Sequence, residues 1–510
     1  MSSVEINPSP SLLRRSGCWV TFLAVIPLLI GGGYVAGNWF GARQLERARA
    51  NLAAAGVEWD LNNIPLVRPA DDDNFCATPL VRSITEGTAS VPDIEAIQRV
   101  AEWHQWMTKA GARLQSARHF APTNWIAVRD AVVAGDTNAR INAEADPILA
   151  LAASLERDLA PVLTELVDAL PRNSSVMVPT YVEFLRRNEA TDSGTPWMND
   201  IRKLSMIFYL WGRFNLELGN VEPVLASAQV LLRLAEGAER HGSPVGGLIG
   251  LSLRSLVHQK LWVAAAHQSL PIEAWRDLAA LMRRQRPLDR LPQNLQGEVV
   301  FTHRMCTLLR QDPSELNSLS SDPVWESWRL FSELLPRGWF DASEAVLLES
   351  YAVIARSIQD PSRPDRYTVT AYQYKDIRNL IFPDHRFLTY IFMNATANWV
   401  RHFASSQAIS SLAEVACSLE MFWHHHQTYP ETLTALVPDY LPHIPIDFDG
   451  QPVRYAPTPD NGRYRLWSVG SDGQDDGGVE KAADGGTPKT WNEPVGDWLW
   501  HYPKQPTSTP

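Results

Sequence analysis

No charged residue occurs between Ser16 and Ala42. The run reads Trp19-Val-Thr-Phe-Leu-Ala-Val-Ile-Pro-Leu-Leu-Ile, then Gly31-Gly-Gly33, and ends near Tyr34, Trp39 and Phe40. Its length matches the roughly 20 apolar residues that cross a hydrocarbon slab. Pro27 and the glycines weaken a helix in water more than one in lipid. Aromatic residues stand at both ends, where membrane interfaces favour them. The segment is therefore expected to be an uncleaved transmembrane anchor. A cleaved signal peptide is the competing reading, but Val35-Ala-Gly-Asn38 only approaches a small-x-small cleavage site. Cys18 precedes the apolar run, so it is not placed as a lipid acceptor. Arg14 and Arg15 favour a cytoplasmic N-terminus, whereas Arg43, Arg47 and Arg49 pull the other way. A short tail before one span is the signal-anchor arrangement, which places the bulk of the chain outside the cytoplasm.

The 510 residues suffice for two or three domains or one extended helical array. A net charge of −11 argues against a nucleic-acid partner, because phosphate contacts need a basic surface. The 19 tryptophans are scattered through apparent helices and read mainly as core anchors. Cys18, Cys76, Cys306 and Cys417 form no CxxC pair, which disfavours zinc and excludes a dense disulfide framework. Buried free thiols are expected, with one bridge among the last three as the alternative.

The expected organisation is a cytoplasmic tail and anchor over 1–42, then a juxtamembrane helix and Pro/Asp-rich linker over 43–92. A helical body over 93–400 and a C-terminal module over 401–510 follow. The linker contains Asp71-Asp-Asp-Asn74, an acidic run read as a solvated turn more readily than as a metal site. In the body, Ile148, Leu151, Leu155, Leu159, Leu163, Leu166 and Leu170 form one apolar stripe at helical spacing. Asp312-Pro-Ser-Glu315 and Asp322-Pro-Val-Trp-Glu326 read as helix starts. The segment Tyr209–Ala226, with Leu218-Gly-Asn220 at its turn, resembles a tetratricopeptide unit, but no copies recur at a fixed period. An irregular α-hairpin bundle or solenoid-like body is expected. The body contains no HExxH, phosphate-binding glycine loop or GxSxG elbow. His104, His119, His258, His267 and His303 show no ligand spacing.

Near the C-terminus the period changes. A helix over 406–426 places Ile409, Leu412, Ala416, Leu419 and Trp423 on one face and ends in His424-His-His426. Adjacent helical residues point about 100° apart, so at most two of these histidines easily reach one metal. Pro430 suits a short helix through Leu436. Pro452–Ala456 and Tyr464–Val469 then read as an antiparallel hairpin, with Tyr464, Leu466 and Ser468 on one face. The loop Gly470-Ser-Asp-Gly-Gln-Asp-Asp-Gly-Gly478 follows. Between Asp447 and Asp497 there are ten acids against five Lys/Arg. Glycines let carboxylates and carbonyls converge, and hard oxygen ligands suit Ca²⁺. A plain solvated acidic loop satisfies the same pattern.

The order Tyr429-Pro430, Leu433, Leu436, Pro445, Asp447, Gly450, Pro452, Tyr455, Tyr464, Leu466, Ser468, Gly470, Asp472, Gly473, Gly477, Gly478 and Asp497-Trp498 resembles the C-terminal half of the type II secretion major pseudopilin. That resemblance covers roughly the last hundred residues. It implies a Ca²⁺ loop with the Asp472 carboxylate and the Val469 carbonyl as ligands, completed by Asp475, Asp476 or Asp484. The chain departs from a pseudopilin at its other end, where it has no processed Gly-Phe-x-x-x-Glu signal and no acid in its apolar helix. Polymerisation as a pilus subunit is therefore not expected. The whole layout also resembles uncharacterised membrane proteins of planctomycete- and verrucomicrobium-like bacteria. Together these features imply a mainly α protein of the bacterial inner membrane, with a small α+β tail. Its expected role is binding or scaffolding of envelope proteins, with Ca²⁺ as cofactor and no assigned activity. The alternatives are an extracytoplasmic hydrolase using the body or His424–His426, and an accessory subunit of a secretion-like envelope complex.

Overall fold

The structure, a computed structural model, describes residues 11–66, 68–88, 91–109, 123–136, 141–142, 144–187, 197–312, 315, 336–360, 387–458, 463–470, 472–479 and 496–500. It is mainly helical, with one small antiparallel three-stranded sheet. The chain divides into two compact units. One draws on residues 1–59, 301–353 and 372–394, and the other on 60–300, 354–371 and 395–510.

In the first unit, α1 (Ser11–Ala54) carries the apolar run. Its last turns bury Leu45, Ala48 and Leu52. Its middle leaves Leu28, Leu29, Ile30, Val35, Trp39 and Phe40 exposed. Among the described residues, no helix is long and apolar enough to cross a membrane. The side chains of Trp19–Ala24, the first part of the apolar run, lie outside those residues. Arg49 of α1 lies over the Trp59 ring at 4.0 Å and 3.8 Å from Glu344. Glu344 is fully buried on α12 (Arg337–Gln359). It also receives Arg310 and His303, the latter at 2.5 Å, from α11 (Leu291–Gln311). At Gly41 the backbones of α1 and α12 touch, since a Cβ there would sit 1.8 Å from the Gly338 oxygen.

The second unit is built on three successive helices, α7 (Met198–Leu218), α8 (Val221–Arg240) and α9 (Pro244–His267). Gly219 in the left-handed region closes the α7–α8 hairpin at the expected turn. The leucine stripe becomes α5 (Pro147–Asp168), which starts where the Asp146 carboxylate accepts the N–H groups of Ile148 and Leu149. Pro161 lacks an N–H, and α5 kinks at Leu159. Helices α3 (Val91–Lys109), α4 (Trp125–Gly135) and α10 (Ile272–Arg283) pack into this core, and the short α6 (Tyr181–Arg187) lies between α5 and α7 in the chain.

The stretch read as a linker contains a packed segment. Phe75 and Cys76 are fully buried, and α2 (Pro79–Glu86) follows directly. The Asn74 side chain donates to the Val176 carbonyl at 2.9 Å and accepts from the Val176 N–H at 2.9 Å. Asp71 pairs with Arg82 at 2.7 Å, and Asp73 accepts from Asn173. The acidic run thus ties itself both to Arg82 of α2 and to the Asn173–Val176 segment a hundred residues away. Cys76, Cys306 and Cys417 are free and buried, as expected. The helix starts expected at Asp312–Glu315 and Asp322–Glu326, and His119, lie wholly or largely outside the described residues.

The body and the C-terminal module are continuous. Helix α13 (Phe387–His426) runs through residue 400 without a break. A 3-10 turn, Leu433–Leu436, replaces the short helix expected there. Strands β1 (Arg454–Thr458), β2 (Arg463–Ser468) and β3 (Trp498–Trp500) pair in that order. Tyr455 faces Leu466, and Leu466 faces Trp500. Tyr464, Leu466 and Trp500 belong to the same buried cluster as α7, α8 and α9. Trp500 meets Trp262 of α9 at 5.1 Å, and Arg463 donates to the Ala266 carbonyl at 3.1 Å.

Candidate functional site

The acidic, glycine-rich loop is held by two buried carboxylates, Asp447 and Asp497. Asp447 accepts from the Ser468 hydroxyl at 2.7 Å and from the Phe448 and Val469 N–H groups at 2.9 Å each. Arg454 adds a fourth contact at 3.1 Å. Burial pushes the Asp447 carboxyl above its ordinary range, against the pull of these donors. Asp497 gathers the N–H groups of Gly478 at 2.7 Å, Asp476 at 3.2 Å and Val479 at 3.3 Å. Burial raises its carboxyl as well. Backbone donors in a turn form a nest that suits an anion, and here the anion is the chain's own side chain.

Arg454 joins the hairpin to the loop. Its guanidinium contacts Asp447, Asp449 and Asp475. Asp449 falls below the usual carboxylate range because Arg454 donates to it. Burial would raise Asp475, but the Trp467 indole, the Gly477 N–H and Arg454 together outweigh it and lower the group. At Gly470, with φ of 71°, a Cβ would lie 2.2 Å from the Gly496 oxygen, so only glycine fits this turn.

Val469 is buried, with its N–H on Asp447. Asp472 accepts the Gln474 N–H at 3.1 Å. Asp475 is committed to Trp467, Gly477 and Arg454. Asp476 is tied through its N–H to Asp497. Asp484 lies outside the described residues. Among the described residues, no group of three or more His, Cys, Asp or Glu is placed to hold a metal ion. Arg454 already supplies positive charge to Asp475, so that residue fits a cation poorly. Asp472 and Asp476 are the half-buried carboxylates of the loop, hard oxygen donors of the type that Ca²⁺ sites use.

His424 separates from His425 and His426. His424 contacts the Leu270 carbonyl at 3.0 Å. His425 and His426 both turn to the Tyr440 hydroxyl, at 2.7 and 3.3 Å. His258 is buried against Ser410 at 3.2 Å, and burial pushes its imidazole down to about 3. His303 pairs with Glu344.

Sequence reasoning missed the organising roles of Asp447 and Asp497. The available signal was the large aromatic residue beside each, Phe448 and Trp498, whose rings pack at 5.8 Å. It also missed Lys260, a lysine 3% exposed on α9. The Lys260 amine donates to the Ser227 hydroxyl of α8 at 2.6 Å. Burial lowers that amine to about 7. The signal was a cation set among Leu256, Val257, Leu261 and Ala264. Arg254, one turn and a half earlier, is buried too but forms a two-pronged pair with Glu239, at 2.6 and 2.8 Å. Comparison with protein-family models, with curated proteins and with solved structures finds no match for this chain.

Proposed function

We propose that this chain is a membrane-anchored, extracytoplasmic helical protein that works by binding or scaffolding, with a Ca²⁺-stabilised, pseudopilin-like tail. The observation that carries the proposal is α1. It continues an uncharged run from Ser16 to Ala42 and leaves Leu28, Leu29, Ile30, Val35, Trp39 and Phe40 exposed. Large apolar surface of this kind on a folded chain marks a membrane or protein contact. The absence of charge over a membrane's length favours the membrane. Arg43 stacks on Trp39 at 4.5 Å, an aromatic and basic pair suited to a headgroup layer. Alkaline carbonate extraction tests the anchor, and the full chain should stay with the membrane pellet. Protease added to intact spheroplasts should degrade the body. Release by carbonate, or full protection of the body, would overturn the anchor or the topology respectively.

The Ca²⁺ part names Asp472 and Asp476, the Val469 carbonyl and Asp484 as ligands. Its support is the fit of hard oxygen donors on a loop already shaped by Asp447 and Asp497. Bound Ca²⁺ would tie together loop carboxylates that otherwise repel. Melting of the full chain in Ca²⁺ and in chelator tests it. A higher melting temperature in Ca²⁺, abolished by Asp472→Ala, is expected. Identical melting in both conditions would remove Ca²⁺ from the proposal.

A further inference from the structure

A cleft of about 310 Å³ opens in the second unit, lined by Arg233, Arg254, Arg284, Arg286 and Arg290 with Glu236 as the one acid. Such a concentration of guanidinium is unexpected in a chain of net charge −11. Three of the arginines are fixed. Arg254 is held by buried Glu239 and also contacts Gln285. Arg233 donates to the Arg172 and Asn173 carbonyls at 2.5 and 3.2 Å. Arg290 reaches Glu236 at 3.3 Å. That one carboxylate is shared with Arg240 at 3.0 Å and Arg233 at 3.7 Å. Burial, then repulsion from Arg240, lowers the pKa of Arg290. Positive charge is therefore in excess around this cleft.

The other two are uncommitted. Arg284 and Arg286 follow the end of α10 and are exposed. Among the described residues their guanidinium groups have no carboxylate partner. Leu170, Leu232 and Leu281 line the same cleft and give it an apolar side. A guanidinium offers paired N–H donors in a fixed fork, the geometry that matches phosphate and carboxylate oxygens.

The geometry points to an anion-binding site here, taking a small organic molecule that carries phosphate or carboxylate groups. Fixed Arg254, Arg233 and Arg290 form the floor, Arg284 and Arg286 close over the anion, and the leucines take the organic part. The volume lies at the lower end of small-ligand pockets, which limits the ligand to a compact molecule.

Isothermal titration of the full chain in detergent tests this, with inorganic pyrophosphate in one arm and citrate in the other. Chloride at matched ionic strength is the reference. One saturable site is expected for at least one of the two anions. A pyrophosphate response alone assigns phosphate, and a citrate response alone assigns carboxylate. Because Arg284 and Arg286 are exposed, Arg284→Gln with Arg286→Gln should melt like the native chain and bind about tenfold or more weakly. Glu236→Gln removes the competing carboxylate and should tighten binding. Absence of binding by both anions beyond chloride overturns the proposal. So does binding that neither set of variants alters.

Discussion

Replacing Lys260 by Met should stabilise the second unit, and by an amount that depends on pH. The native amine is 3% exposed and has one neutral partner, Ser227. Burial takes it from 10.5 to about 7. In the unfolded chain the lysine holds its proton up to about pH 10. Between about 7 and 10.5 the unfolded state therefore binds one more proton than the folded state, and stability rises with pH. The slope is about 1.4 kcal/mol per pH unit, so the whole interval is worth about 5 kcal/mol. Below the folded value the full penalty is present and no longer changes. Met fills a similar channel without charge. The Ser227 hydroxyl keeps its other bond, donated to the Val224 carbonyl at 2.8 Å. The lost hydrogen bond costs about 1 kcal/mol, leaving a gain of about 4 kcal/mol near pH 6.5. At about pH 10 the gain vanishes. Urea midpoints of native and Lys260→Met chains, compared across this range, give the difference directly, because other titrating groups cancel. A variant less stable than native near pH 6.5, or a difference that does not shrink as pH rises, would refute the reasoning.

Other expectations follow from the same packing. Trp500→Ala empties a site against Trp262 and should cost about 3–5 kcal/mol. Limited proteolysis should then cut the tail before the α7–α9 core. Gly470→Ala combines a φ of 71° with a Cβ 2.2 Å from the Gly496 oxygen. It should cost about 2 kcal/mol or more, read as faster amide exchange in the loop at Gly478 and Val479. Arg254→Met strands the fully buried Glu239 and should destabilise by about 3–5 kcal/mol, with partial recovery on adding Glu239→Gln, measured by thermal melting.

The parts legible in the sequence were those with a local cause. The α5 leucine stripe, the Leu218-Gly-Asn220 turn and the alternation of Tyr464, Leu466 and Ser468 all carry their period or turn chemistry within a few residues. What escaped depends on distant partners. Trp467, on the other face of β2, and Val469, just past its end, are buried as well, where β3 and the glycine loop return from later in the chain. Asn74 reads as a turn residue until Val176 arrives to pair with it. In the candidate loop, Asp472, Asp475 and Asp476 were visible as acids, but not which of them Arg454 would claim. The arginine cleft was invisible for a related reason. Its lining comes from Leu170, from α8 and α9, and from the end of α10 and the turn after it, so no window of sequence contains it.

The contact between Gly41 and Gly338 has a mechanical meaning. From Leu28 to Ala54, α1 is a rod of roughly 40 Å. It lies backbone to backbone on α12 at Gly37, Asn38 and Gly41, and further along Asn51 donates to Glu349 and Arg49 reaches Glu344. A displacement of the outer part of α1 would therefore be passed along these contacts to the Arg49 end, where it would strain the buried Glu344 cluster with Arg310 and His303.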